Sequence, residues 1–161
     1  MVSEITLRST FEHRPQYECL RRFGKMYNTL DAEIFLPDIT SECMFINQKL
    51  RFFIQGEAVG EMLRERMEEL RDEPMVTRPM LAVAMVDGFF GPEICLACYK
   101  FNREQPNSLI TIEMDGSELS IITFCEILPL PSTADVTSYF PGLTDEEAAQ
   151  RLAIKDKKPL L

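Results

Sequence analysis

The sequence predicts an α+β protein: a small antiparallel β-barrel held by a mixed lobe of helices and strands. Three observations carry that reading. Residues 15–30 and 57–71 repeat apolar side chains at spacings of three and four, the period of a helix with one buried face. Four short runs between Met80 and Phe124 are rich in apolar and β-branched residues and follow one another across polar connections. Between the two helical stretches, "CMFIN" (43–47) and "LRFFIQ" (50–55) are separated by a polar break, the pattern of a hairpin.

In chain order, "EITLRS" (3–8) alternates weakly and reads as a strand. Pro15 suits a first helical position, and Tyr17, Leu20, Phe23, Met26, Tyr27 and Leu30 form the stripe of the first helix, with Gly24 a weak point within it. "AEIFLP" (32–37) reads as a strand closed by Pro37-Asp38. After the hairpin and Gly56, the second helix carries Val59, Met62, Leu63, Met67 and Leu70 on one side and charged residues on the other; Pro74 and Pro79 bracket a linker. The barrel strands are "MLAVAMV" (80–86), "EICLACYKF" (93–101), "LITIEM" (109–114) and "LSIITF" (119–124), and "EILPLP" (126–131) leaves the barrel as a Pro-locked segment. Thr144 is placed to cap a last short helix whose first turn holds Asp145, Glu146 and Glu147, favourable against the helix dipole. The expected organisation is a flanking lobe at 1–78, the barrel at 79–131, and a C-terminal segment at 132–161 that packs back on the lobe.

The 161 residues carry a formal net charge of -9, from 26 acidic against 17 basic side chains. Such a balance disfavours a grip on nucleic-acid phosphates, which rests on Lys and Arg, and fits a basic protein partner better. No apolar stretch is long enough for a transmembrane helix, the N-terminus does not read as a secretory signal, and the odd count of five cysteines suits a reducing compartment. A cytoplasmic protein without a membrane partner is expected.

Chemistry-bearing patterns are sparse. Cys95-x-x-Cys98 has the spacing of half a zinc site or a redox pair, but it lies in a strand run, where residues three apart point to opposite faces. No second such pair accompanies it, and His13 is the one histidine. Structural cysteines, no metal and no cofactor are therefore expected, and a nucleophile–base pair has no visible base. Phosphate-cradling glycine loops are absent. Two features remain. Phe89-Phe90 occupies the turn "DGFFGP", as a partner contact or as packing against the neighbouring lobe. The tip Met114-Asp115-Gly116-Ser117-Glu118 gathers carboxylates at the end of a hairpin.

From Cys43 to Ile154 the order of "RFFIQ", helix, "VDG", "ICLA", "IEMDGS", "EILPLP" and "GLTDEEAAQRLAI" resembles the extended Tudor family, in which a Tudor barrel is joined to an OB-type, staphylococcal-nuclease-like lobe. In that family an aromatic cage holds methylated arginine by cation–π attraction. The matching positions here are Met85, Cys95, Ile112 and Met114 or Asp115, with Ser117 at the place of the guanidinium-contacting Asn; none is aromatic. The resemblance thus implies a non-enzymatic scaffold that binds an unmodified peptide segment of a protein partner, as in germline small-RNA (piRNA) processing in cytoplasmic or perinuclear granules. The implied peptide site comprises Met85, Phe89, Phe90, Cys95, Tyr99, Glu113, Asp115, Ser117 and Glu118. The alternatives are an OB-like module for single-stranded nucleic acid and a small acidic assembly chaperone.

Overall fold

In the computed structural model, residues 15–88, 91–100, 106–126 and 137–153 are described. Helix α1 (Pro15–Thr29) starts on its proline, as expected. It ends with Leu30 in the left-handed region (φ 56°), and the Asp31 N–H returns to the Met26 carbonyl at 3.0 Å. This is the C-terminal closure that glycine normally provides. Leu30 accepts the conformation while being only 7% exposed, so its burial offsets the backbone cost. The Arg71 guanidinium donates to its carbonyl.

The expected strand at 32–37 does not form. Asp31 accepts a hydrogen bond from the Glu33 N–H at 3.1 Å and opens a 3-10 turn over Ala32–Ile34; Pro37 then fits the start of a second such turn, Leu36–Asp38. The apolar residues that suggested a strand are used differently. Phe35 is fully buried, edge-on to Phe23 with ring centroids 4.9 Å apart.

The hairpin β1 (Met44–Asn47) and β2 (Phe52–Gln55) and helix α2 (Glu57–Asp72) lie where the pattern put them. Strands β3 (Met80–Gly88), β4 (Gly91–Tyr99), β5 (Ser108–Asp115) and β6 (Glu118–Glu126) follow as an antiparallel meander. A short β7 (Thr137–Tyr139) and helix α3 (Asp145–Ala153) complete the described chain. Thr144 caps α3 reciprocally: the Glu147 N–H donates to its hydroxyl at 3.1 Å, and its own N–H donates to the Glu147 carboxylate at 3.3 Å.

The meander does not roll up into a barrel. Closure would need β6 to return to β3, but both outer partners are taken. β1 pairs with β6 in parallel, Phe45 opposite Ile122, and β7 pairs with β3. The result is one open seven-stranded sheet in the order β2-β1-β6-β5-β4-β3-β7. The small Tudor-like barrel with a separate OB/nuclease-like lobe is therefore replaced by a single mixed sheet with helices on its faces. The boundary expected at 78/79 falls inside one core: Tyr17, Leu20, Phe23, Leu63 and Met67 from the helices pack with Leu81, Val83, Leu96, Ile110 and Ile122 from the sheet.

Alternation along the strands divides the sheet into two faces. The inner face, under α1 and α2, holds that core. The outer face near β3 and β4 presents Met80, Ala82, Ala84, Cys95, Ala97 and Tyr99, covered by Phe140, Ala148 and, in part, Leu143 and Leu152. The helical Gly24 has a packing reason: a Cβ there would lie 3.1 Å from Leu96 Cδ2 and 3.3 Å from Pro141 Cγ, so α1 rests close on the sheet.

Candidate functional site

The described residues expected to form one peptide site lie in three places. Met85 is on the inner face, half-buried and packed against the main core. Cys95 and Tyr99 are on the outer face in the second cluster, because strand alternation separates them from Met85's side. Burial pushes the Cys95 thiol and the Tyr99 phenol each up to about 12. Glu113 is exposed, and Asp115, Ser117 and Glu118 lie in the solvated β5–β6 turn, where Gly116 supplies φ 63° at the first of two central positions, the glycine-first hairpin turn. Phe89, Phe90 and His13 lie outside the described residues. Cys95 and Cys98 do point to opposite faces, and no cluster able to hold a metal ion occurs among the described residues.

The inner core contains a polar arrangement that the sequence did not announce. The Tyr17 hydroxyl on α1 and the Tyr139 hydroxyl on β7 are 2.8 Å apart and share a hydrogen bond. The helix fixes their position along the sheet. Asn28, near its C-terminal end, bonds Leu81 at the start of β3, and Gly24 rests on Leu96, the register partner of Val83. Tyr17 is two turns further on, toward the β3–β4 turn. The inner-face residues at that end are Met85 and Ile94, opposite each other in register, with Ile112 and Met114 on β5. The core to which both phenols belong is otherwise made of hydrophobic residues. Tyr17 is 1% exposed, whereas Tyr139 keeps part of its surface open. Among the described residues, the buried polar side chains are Asn28 and Ser108; no carboxylate or imidazole is buried with them.

Asn28 is the second missed residue. Its amide nitrogen donates to the carbonyls of Leu81 and Pro141, both at 2.9 Å, and its amide oxygen accepts from the Leu81 N–H at 2.9 Å. One buried side chain therefore ties α1, β3 and the segment after β7, which carries Tyr139. Asn28 lies off the apolar stripe of the first helix and carries no sequence signal of its own. Tyr17 looked like one more core residue. A partner more than a hundred positions away leaves no local trace.

Among the described residues, two grooves outside the core stand out. One, of about 390 Å³, runs between the second 3-10 turn and the start of α2, with Glu57, Glu61 and Arg64 on its wall; its charges are mixed and solvated. The other, of about 280 Å³, is floored by Met44, Ile46 and Phe53 on the β1–β2 hairpin.

No family profile matches the sequence, and no curated protein is significantly similar to it. Solved structures do resemble the fold. A SnoaL-like protein of unknown function from Burkholderia thailandensis superposes with a TM-score of 0.50 at 11% identity, over 71% of this chain and 97% of that one. An epoxide hydrolase/cyclase-like enzyme of pyran-ring formation in salinomycin gives 0.49 at 11% identity, over 80% and 98%. An NTF2-like protein from Cytophaga hutchinsonii gives 0.46 at 11%, over 70% and 89%. These are not Tudor or nuclease-like domains, so the extended Tudor resemblance falls, and with it the peptide-reading piRNA scaffold and the germ-granule setting. The expectation of a non-enzyme rested on the same resemblance and falls with it. No described helix is long and apolar enough to cross a membrane. At such identities the likeness speaks for architecture alone: the chain has an open-sheet fold similar to that of the Burkholderia SnoaL-like protein.

Proposed function

We propose that the chain binds a small, largely apolar molecule carrying a carbonyl or hydroxyl oxygen, at the end of the inner core where Tyr17 and Tyr139 meet. The shared hydrogen bond of these two phenols carries the reading. A ligand site is typically an apolar recess with a few convergent polar groups that fix orientation. Here two hydroxyls converge within a core whose other members are apolar. A phenol both donates and accepts, so the pair can exchange its mutual bond for one to a ligand oxygen and polarise that oxygen. With no buried carboxylate or imidazole among the described residues, these groups supply orientation and polarisation rather than proton abstraction.

The test is a thermal-shift screen of small ketones, lactones and phenols, followed by calorimetric titration of the hits against wild type and Tyr17→Phe. Removing one hydrogen-bonding hydroxyl should weaken binding about tenfold, the equivalent of roughly 1.4 kcal/mol. A screen in which no oxygenated compound protects the fold, or a hit that binds Tyr17→Phe as tightly as wild type, overturns the reading.

A further inference from the structure

The β1–β2 hairpin is where the described surface departs from ordinary solubility. Among the described residues the exposed large apolar side chains are Leu50 (65%), Phe52, Phe53 (66%) and Met75; all but Met75 belong to this hairpin. β2 is also an edge strand, with β1 on one side and no described strand on the other. An edge both open and apolar is the type that pairs with another strand.

The backbone shows what that edge offers. In an antiparallel ladder, alternate residues direct their N–H and C=O groups to opposite sides. The Gly56 N–H donates to the Cys43 carbonyl at 2.8 Å, and the same register continues as Phe45–Ile54 and Asn47–Phe52. Gly56, Ile54 and Phe52 therefore face β1. On the other side of β1, the Gln48 N–H donates to the Phe124 carbonyl at 3.0 Å, in keeping with that alternation. Phe53 and Gln55 consequently direct their backbone groups away from the sheet.

We infer that the chain forms a two-fold dimer through this edge, β2 antiparallel to β2 of a second copy, centred on Phe53. Strand and copy are mutually complementary in this register. Phe53 exchanges both backbone hydrogen bonds with its counterpart, and the two rings meet on the outer face. Gln55 stands opposite Arg51 of the copy. The basic tip of the hairpin, Lys49 and Arg51, comes beside the acidic first turn of α2, which begins with Glu57. That match selects a second copy: the cations of one tip meet Glu57 of the other chain, and the exposed apolar residues of both hairpins cover one another. The inference does not depend on the phenol site, which lies on the inner face.

Sedimentation equilibrium from low micromolar to several hundred micromolar should show a mass of twice 18.5 kDa at the upper end. Phe53→Lys puts two lysines directly opposite each other across the two-fold, their Cα atoms about 5.5 Å apart, and should raise the dimer Kd tenfold or more, with the far-UV spectrum unchanged. Gln55→Pro is the second variant, since it removes an outward N–H and leaves the β1 ladder intact. Amide exchange supplies the specific signature. Phe53 and Gln55 should be protected in wild type and lose protection in the variants, while Ile54, already bonded to β1, stays protected throughout. A monomer at every concentration overturns the inference and leaves the edge to a strand from another protein. A dimer that survives Phe53→Lys, or one in which the Phe53 and Gln55 amides exchange freely, overturns it as well.

Discussion

Asn28 is the residue whose removal the structure prices most sharply. Truncation by Asn28→Ala deletes three hydrogen bonds, to the Leu81 N–H, the Leu81 carbonyl and the Pro141 carbonyl. Asn28 is 1% exposed and Leu81 fully buried, so water cannot readily replace them. Each bond contributes about 1 kcal/mol net, and a stranded buried donor such as the Leu81 N–H costs about 1–3 kcal/mol. The expected loss is roughly 4–6 kcal/mol, a large share of the 5–15 kcal/mol typical of a folded domain. At about 2–4 °C per kcal/mol for a chain of this size, the thermal midpoint should fall by roughly 10 °C. Asn28→Asp sharpens the test. The carboxylate still accepts from the Leu81 N–H, but it faces two carbonyl oxygens with nothing to donate. It should be no more stable than the alanine variant at neutral pH and should recover in part toward about pH 5, where a protonated carboxyl can donate. Urea unfolding followed by far-UV circular dichroism measures both. A loss below about 1 kcal/mol for Asn28→Ala would refute the clamp.

Burial raises Cys19 and Cys95 to about 12 and Cys43 to about 11, from an ordinary 9.0, while Tyr27 and Tyr99 rise from 10.0 to about 12. A folded value above the unfolded one gives stability that is complete below the unfolded value and lost as pH climbs to the folded one. Urea midpoints should therefore hold between pH 7 and 8 and decline from about pH 9 toward 12; unchanged midpoints at pH 10.5 would contradict this. Cys125 is half-buried and the other four cysteines are buried, so Ellman's reagent at pH 8 should titrate one thiol quickly in the native state and five in urea. Gly142 has φ 81°, and a Cβ there would lie 2.9 Å from Lys25 Cγ and Thr29 Cγ2, so Gly142→Ala should cost about 1–3 kcal/mol in the same urea assay. A neutral outcome would mean that the loop after β7 shifts without cost.

Local elements were legible because their signals are local. The apolar stripes at 15–30 and 57–71, the hairpin pattern and the four runs from Met80 to Phe124 each became the expected helix or strand. Thr144 and Glu147 form the expected cap. The failure at 32–37 was also local: Asp31 and Pro37 favour tight turns, and Phe35 carries a strand-like side chain into them. Partner choice was not legible. Nothing in "MFIN" states that it will lie parallel to "IITF", and that single pairing separates an open sheet from a barrel. The phenol pair spans 122 positions and the Asn28 bonds span 53 and 113, so no periodicity reports them. The expected peptide site drew described residues from both faces of the sheet because positions were matched along the chain without deciding which face each strand residue would present.

The parallel pairing of β1 with β6 also sets the order of assembly. Met44 finds its place beside Ile121 only after nearly eighty intervening residues have been laid down and folded into a meander. An isolated two-stranded hairpin is marginal in water. During synthesis, the hairpin that carries the apolar tip at Leu50 and Phe53 must therefore wait, undocked, until the sixth strand emerges. Such long-range closure slows folding and lengthens the interval in which that tip can seize the wrong neighbour.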